Sequence, residues 1–282
     1  MIGLYDKRDT AGPMARTVSD LVKLLDVIAG VDPMDPATAD VGGKIPATYT
    51  TFLKRDGAAG KRIGVLRQAS RPNASDPLVL SLFDRAVADL RSAGAEIVDP
   101  FVITEFDQFA PRLHPLSEVR AALERYLTKT GPKFPKSLAK VVASGKFHPL
   151  HEVGLRETAA PAPEEDPVVK QLESDEARMR AAYLAAMDEL GIDVLAFPTA
   201  TYPPKLNGDR NTTPAGTLSG IASALHWPGI VVPMGYSHES LPSGLQLLGR
   251  PWSEPILIEL GYAYEQATQH RVPPTTVPSF DD

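Results

Sequence analysis

Apolar positions along this chain follow two patterns, a helical period and short continuous runs. Short segments at 61–66, 95–98 and 194–197 have the pattern of strands, and the last of them is apolar throughout, as a buried strand is. Between the first two, the stretch 75–94 opens on a Ser-Asp-Pro sequence, carries apolar residues at helical spacing and stops at a glycine. A strand, a helix of about five turns and a second strand predict a parallel pair with a right-handed crossover. The pattern therefore predicts an α/β sheet.

The helical period recurs in several other parts of the chain. One helix is predicted to have Pro13 in its first turn and to stop at Gly30. The region 101–163 holds weaker helical segments around one clear helix at 117–127, and we interpret it as a helical insertion. The remaining predicted helices cover 166–191, 215–225 and 253–267.

Two apolar strands near the end of the chain are predicted to form a hairpin. They cover 230–232 and 245–248. The residues between them, 235–243, are polar and contain glycine and proline. This composition predicts a long loop that joins two paired strands.

Size and charge limit the classes of function. The chain has 282 residues, of which 43% are hydrophobic, so it can bury a substantial core. Its 29 basic and 35 acidic residues give a net charge of -6 and form no basic patch for a phosphate backbone. No apolar run approaches the roughly 20 residues that span a bilayer, and residues 1–16 lack the core of a signal peptide. We therefore expect no nucleic-acid partner, no membrane segment and a cytoplasmic location.

The absence of cysteine narrows the possible chemistry further. Without a thiol, the chain can form no disulfide, thiolate zinc site, iron–sulfur cluster or cysteine nucleophile. Any nucleophile within it must be an oxygen or a nitrogen. We predict neither a metal nor a cofactor.

Two blocks of sequence carry a family resemblance. The first runs from Asp9 through Gly12, Pro13 and Arg16 and continues into an Asp-Pro-Met-Asp-Pro segment at 32–36. The second comprises 195–199, 227–235 and 241–249. In order and spacing, these blocks resemble the C-terminal half of amidase-signature enzymes. The resemblance implies a single domain over 1–282, with 101–163 as a variable helical insertion.

The resemblance also implies a fold and a reaction. The expected fold is α/β, the C-terminal part of the amidase-signature fold, with an incomplete, mixed and twisted sheet flanked by helices. The expected reaction is hydrolysis of a small-molecule carboxamide to an acid and ammonia or an amine. In such enzymes a serine attacks the carbonyl, a second serine in a cis peptide passes its proton to a lysine, and backbone N–H groups hold the oxyanion.

The chain departs from the family pattern at the catalytic segment. The Gly/Ser-rich segment should precede Asp9, but only eight residues do so here. The single Gly-Gly pair, Gly42-Gly43, is followed by Lys44 and by no serine. We therefore assign no catalytic residue and expect the chain to be inactive alone. Its expected partners are a complementing N-terminal segment or a second copy of itself.

Six residues are carried over as pocket or loop-supporting positions. Asp9 and Arg16 flank the turn at Gly12, and we predict that they form a charge-assisted pair. Pro198, Thr199 and Trp227 are similarly placed to positions near the acyl pocket of such enzymes. Alternatively, Asp9 and Arg16 are solvated surface charges and Trp227 is a packing residue.

Two other arrangements of polar residues suggest different chemistry. Ser137 and Lys140 form an S-x-x-K sequence, but the K-T-G sequence at 129–131 precedes it, the reverse of the order in penicillin-recognising enzymes. His148, His151 and Glu152 lack the i, i+4 helical spacing of a zinc site, which favours a surface loop. The runner-up function is a non-catalytic protein that docks on a separate chain.

Overall fold

The computed structural model describes residues 8–109, 115–161, 166–207, 216–218 and 220–274. The chain divides into two compact units. The helical unit comprises Met1–Ala11, Glu105–Ala182 and Ser223–Leu225, and the sheet unit comprises Gly12–Thr104, Tyr183–Ala222 and His226–Asp282.

Five strands form one mixed sheet in the sheet unit. They are β1 Arg62–Val65, β2 Glu96–Val98, β3 Val194–Pro198, β4 Gly229–Ser237 and β5 Leu241–Gly249. The strand order is β2-β1-β3-β5-β4. Strand β1 is parallel to β2 and β3, whereas β5 is antiparallel to β3 and β4. The predicted α/β class and the mixed sheet are confirmed, as is the parallel pairing of the first two strands.

Two helices, α2 Pro77–Ser92 and α8 Glu254–Thr268, pack against one face of this sheet, and a third, α1 Val18–Ile28, packs against α8. Their apolar stripes join the inward residues of the strands in one core, which includes Val22, Phe83, Leu90, Val194, Leu245 and Leu260. The side chain of Asp76 caps α2 by accepting the N–H groups of Leu78 and Val79. Burial of these stripes is the main stabilising contribution to the sheet unit.

The opposite face of the sheet approaches a neighbouring aromatic ring closely. A Cβ at Gly64 would lie 2.9 Å from Phe101 and 3.0 Å from Leu195. Phe101 is fully buried, and its N–H bonds the carbonyl of Val65 at 2.9 Å. Glycine at position 64 is therefore what lets Phe101 cover this face.

Helix α1 begins five residues later than the sequence pattern predicts. Thr17 has an extended backbone, and its hydroxyl accepts the N–H of Asp20 at 3.1 Å. This contact makes Thr17 the N-cap, so Pro13 lies in the segment before the helix. Val22 is buried as its helical spacing predicts, whereas Ile28, which has the same spacing, is 51% exposed. A side-chain cap decided the start of the helix.

The helical unit contains the helix that the sequence predicts at 117–127, together with further helices. They are α3 Leu116–Thr128, α4 Leu138–Ser144, α5 Glu152–Ala159 and the first part of α6 Pro167–Glu189. The helices predicted at 117–127 and 166–191 are confirmed. The interpretation of 101–163 as a variable insertion in a single domain stays a prediction. Helix α7 covers Gly220–Leu225, and residue 215, where the prediction began it, lies outside the described residues.

The β4–β5 hairpin has a much shorter connection than the predicted loop. Strand β4 continues to Ser237, which pairs with Leu241. His238 and Glu239 turn the chain with φ values of 45° and 68°. Because non-glycine residues seldom adopt positive φ, no turn signal was visible in the sequence.

Candidate functional site

The carboxyl ends of β1 and β3 meet at one edge of the sheet. The two strands are parallel, with Val65 level with Ala196. In open α/β sheets, ligands bind beyond this edge. Polar side chains lie in the segments that follow the two strands, namely Arg67, Ser70, Ser75, Asp76, Thr199 and Thr201. We call this group the β3-end site.

Thr199 is held on two sides by backbone groups. Both its N–H and its hydroxyl donate to the carbonyl of Gly244, at 2.8 and 3.0 Å. Its carbonyl accepts the N–H of Leu218 at 2.8 Å. Pro198, immediately before it, is buried and pairs with Leu245. The site wall at Pro198 and Thr199 is therefore rigidly positioned by β5.

Glycine is required at position 244 because neighbouring side chains lie too close for a Cβ atom. A Cβ there would lie 2.7 Å from the Thr199 hydroxyl oxygen and 2.8 Å from a Val231 methyl carbon. We expect Gly244→Ala to lower the free energy of unfolding by about 1–3 kcal/mol, since both neighbours are stiff β-branched residues. The matched control is Gly42→Ala, where a Cβ meets nothing within 4 Å. Urea denaturation of the two variants checks the difference, and equal midpoints would contradict it.

Two buried serine hydroxyls lie at the same edge. Ser70 and Ser75 are 3% and 5% exposed, and neither side-chain oxygen has a hydrogen-bond partner in the described part of the chain. An activated hydroxyl needs a base within hydrogen-bond reach. Without such a base, neither serine is arranged for nucleophilic attack in this geometry. The sequence interpretation assigned neither residue to the site.

Arg67 organises the loop that follows β1. Its guanidinium makes two bonds to Asp99, at 2.9 and 2.8 Å, and a third to Asp84 at 2.6 Å. The hydrogen bonds to Asp99 are the largest cause that raises the pKa of Arg67, and Asp84 adds to it. Arg67 therefore stays charged and serves to fix the loop.

Asp76 links the start of α2 to the β4–β5 turn. Its carboxylate lies 2.9 Å from Nε2 of His238. Burial alone would raise the pKa of Asp76, but hydrogen bonds from His238, Val79 and Leu78 hold it below its ordinary value. The N–H of Asp76 also bonds the carbonyl of Thr201 at 2.8 Å. These contacts connect β3 with α2 at the candidate site.

Trp227 lies away from Pro198 and Thr199. Thr199 is level with Gly244 and hence with Pro233, whereas Trp227 comes two residues before Gly229 at the other end of β4. The four-residue step along β4 from Gly229 to Pro233 alone separates the two levels by about 13 Å. Trp227 is buried and meets Tyr183 edge to face, with ring centroids 6.2 Å apart. The structure brings Pro198 and Thr199 together, and the pocket role of all three stays a prediction.

The other three predicted positions lie near the start of the described chain. Asp9 is half-buried in the helical unit, whereas Gly12 and Arg16 are exposed in the sheet unit. The predicted pairing of Asp9 with Arg16 therefore stays a prediction. The residue before Asp9 is anchored, because Arg8 forms a buried ion pair with Glu176 within the helical unit.

The S-x-x-K sequence has a structural explanation. The Ser137 hydroxyl accepts the backbone N–H of Lys140 at 3.3 Å and thereby caps α4. Lys140 itself is exposed. This is the contact that a Ser N-cap makes at any helix start, so it gives the serine no catalytic activation.

The histidine cluster is also part of local structure. His148 accepts the N–H of Leu150 at 3.3 Å through Nδ1, and its ring centroid lies 6.1 Å from that of His151. Both rings are exposed. Among the described residues, no group of three metal-ligating side chains comes together. No helix within the described ranges has the length and apolarity to cross a membrane.

Known proteins match nearly the whole chain. The Amidase family model matches residues 1–258. A probable amidase of Arabidopsis thaliana is 32% identical over 95% of this chain and 50% of its own length. A glutamyl-tRNA(Gln) amidotransferase subunit of Roseiflexus castenholzii is 31% identical over 95% of this chain and 56% of its own. The chain thus spans about half the length of the curated relatives it matches.

A solved structure agrees with the sequence match. The native peptide amidase of Stenotrophomonas maltophilia superposes with a TM-score of 0.78 and 34% identity. The superposition covers 100% of this chain and 57% of that protein. The sequence match over 1–258 and the superposition of the structure both lead to amidases. The chain therefore belongs to the amidase family.

Proposed function

We propose that this chain is part of an amide hydrolase, which cleaves the C–N bond of a carboxamide to give an acid and ammonia or an amine. The observation that carries this proposal is the extent of the match. Relatives align with 95–100% of this chain, which includes every strand of its sheet. A chain that contains these strands and their carboxyl ends also contains the residues on which a substrate pocket is built.

In this proposal the catalytic lysine and both serines come from polypeptide outside this chain. Two observations support this division. The chain aligns with only 50–57% of its relatives' lengths. At the β3-end site, Ser70 and Ser75 have no base within hydrogen-bond reach among the described residues. The chain would contribute the pocket wall at Pro198 and Thr199.

The proposed substrate is a small carboxamide. The first compound to test is a peptide amide, because one matched structure is that of a peptide amidase. A neutral amide needs apolar walls and a few polar groups to orient it. Pro198 and the partly buried Thr199 at the end of β3 are groups of this kind. The cytoplasmic location expected from the sequence stays a prediction.

Ammonia release from a peptide amide tests the function. We expect none from the purified chain alone. We expect release when the chain is fused in one polypeptide to the part of the Stenotrophomonas maltophilia amidase that it does not match. Release by the chain alone, blocked by a serine-directed inhibitor, would show that the catalytic groups lie within it. A folded but inactive fusion would count against amide hydrolysis.

A non-catalytic binding role is the second candidate, and exposed apolar residues favour it. Leu24, Val27 and Ile28 on α1 are 41%, 80% and 51% exposed, at helical spacing. Contiguous apolar surface of this kind is typical of an interaction site. The DNA upstream of the first codon distinguishes the two candidates. An in-frame Gly/Ser-rich segment with a lysine favours the hydrolase, whereas a start codon with no such segment favours the binding protein.

A further inference from the structure

The segment that follows α8 is held by side chains of other elements. Gln269 ends α8 with a φ of 48°, and its N–H bonds the carbonyl of Glu265 at 2.9 Å. The next residues, 270–272, belong to neither a helix nor a strand, and we call them the strap. They lie beyond residue 258, where the match to the Amidase family model ends. The strap is therefore a feature of this chain that the family match does not describe.

Tyr236, near the end of β4, binds the strap at Val272. Its hydroxyl accepts the N–H of Val272 and donates to the carbonyl of the same residue, at 3.0 Å in each case. One phenol hydroxyl can make both bonds because it is a donor and an acceptor. It thereby pairs both backbone groups of Val272, as a neighbouring strand would. Loss of this hydroxyl removes two contacts between the strap and the hairpin at once.

His270 binds the strap to two helices. Its Nε2 lies 3.2 Å from a carboxylate oxygen of Asp89, in the last turn of α2. Its ring centroid lies 6.0 Å from that of Tyr264, a fully buried residue of α8. The strap therefore contacts α2, α8 and β4 within three residues.

The turn of the β4–β5 hairpin depends on contacts of this kind. His238 and Glu239 both have positive φ, which is unfavourable for residues that carry a Cβ. Such a conformation persists where the surrounding structure fixes it. Asp76 contacts His238 at 2.9 Å, and the strap contacts Tyr236 two residues before it. The turn is thus fixed from α2 and from the strap.

The contacts of the turn continue to the β3-end site. Asp76, which binds His238, also donates its N–H to the carbonyl of Thr201 at 2.8 Å. Thr201 comes two residues after Thr199 in the site wall. The two histidine–aspartate contacts are partly exposed, and a single contact of this kind adds little stability. Their effect comes from their connection, because the strap binds Tyr236 and the following turn carries His238.

We propose that the strap holds the turn of the β4–β5 hairpin in place and that, through His238 and Asp76, it keeps the β3-end site in its observed shape. Segments with few buried contacts and exposed hydrogen bonds open locally. Without the strap, the turn therefore opens more often, and the bond from Asp76 to Thr201 loses one of the groups that order it. The inference concerns the shape of the site and does not depend on the reaction that we propose for it.

Hydrogen exchange in two shortened chains tests the proposal. The first chain ends at Gln269 and lacks the strap, whereas the second ends at Pro274 and keeps it. In the first, we expect the amides of Ser240 and Asp76 to exchange at least about tenfold faster than in the full chain. In the second, the same amides should exchange within about twofold of the full chain.

Each amide reports on one step of the argument. The N–H of Ser240 bonds the carbonyl of His238 in the turn, and the N–H of Asp76 reports on the β3-end site. The N–H of Gly249 bonds the carbonyl of Pro228 at the other end of the hairpin. We expect the exchange of Gly249 to stay the same in all three chains, because the strap does not contact that end.

Tyr236→Phe tests the strap without shortening the chain. The substitution removes one oxygen atom and both bonds to Val272. We expect the amides of Ser240 and Asp76 to exchange at least about threefold faster. The matched control is Tyr262→Phe, because Tyr262 packs against the core and its hydroxyl bonds no described residue. This pair decides the question if the chain that ends at Gln269 does not fold.

The pattern of exchange decides between the outcomes. Faster exchange at Ser240 and Asp76, with Gly249 unchanged, supports the proposal. Equal exchange in the chains that end at Gln269 and Pro274 overturns it. An equal acceleration at Gly249 also overturns it, since the tail would then add only general stability. Faster exchange at Ser240 without a change at Asp76 overturns the connection between the strap and the β3-end site.

Discussion

Replacement of Glu176 by glutamine is expected to lower the free energy of unfolding by about 3–5 kcal/mol. The side chains of Arg8 and Glu176 are 9% and 6% exposed, and they form an ion pair within the helical unit. Removal of the carboxylate charge leaves a guanidinium in a poorly hydrated position. The carboxylate also lies 3.9 Å from the guanidinium of Arg180, so its charge offsets two cationic groups in a poorly hydrated position.

An exposed ion pair in the same unit provides the control. Glu152 and Arg156 lie 2.8 Å apart on α5, with side chains that are 47% and 58% exposed. We expect Glu152→Gln to cost less than about 1 kcal/mol, because water solvates both partners after the change. Urea denaturation followed by circular dichroism measures both variants. Equal effects of the two substitutions would show that burial of the Arg8–Glu176 pair contributes nothing beyond a surface contact.

Leu90→Ala is expected to cost about 2–5 kcal/mol in the sheet unit. Leu90 is fully buried on α2, in the core that also contains Val194 and Leu245. Truncation removes apolar burial and leaves a cavity that close-packed neighbours fill only in part. Because the same core supports β3 and β5, we expect the change also to loosen the frame around Thr199.

The control for this core substitution lies on the same helix. Leu78 is 48% exposed, so Leu78→Ala makes an identical chemical change with little loss of burial. We expect its effect to stay within about 0.5 kcal/mol. Urea denaturation measures the midpoint, which reports the change in stability. The slope of the transition reports whether the unfolded or the native state has changed in compactness. A Leu90→Ala midpoint close to that of Leu78→Ala would contradict the assignment of Leu90 to the core.

Some boundaries followed from the sequence and others did not. The strand-helix-strand order around α2 was predictable because each element has a local period and a clear stop. The start of α1 was not, since the Thr17 cap depends on one side-chain contact. The tight turn at His238 and Glu239 was also missed, because neither residue type favours positive φ.

The candidate site was also only partly predictable from the sequence. Pro198 and Thr199 were singled out by resemblance, and the structure places them together against β5. Trp227 was grouped with them, but the strand register puts it at the far end of β4. Ser70 and Ser75 were missed because their burial depends on neighbours distant in sequence.

By itself, the sequence determined the α/β class, the order of the main elements and the resemblance to amidases, because periodicity and motif spacing are local properties of the chain. Only the tertiary structure decided which polar groups meet at the ends of β1 and β3, that Arg8 pairs with Glu176, and that β4 has an unpaired edge among the described strands. These features join residues far apart in the chain. They depend on strand register and on the packing of whole elements, which short-range patterns do not specify.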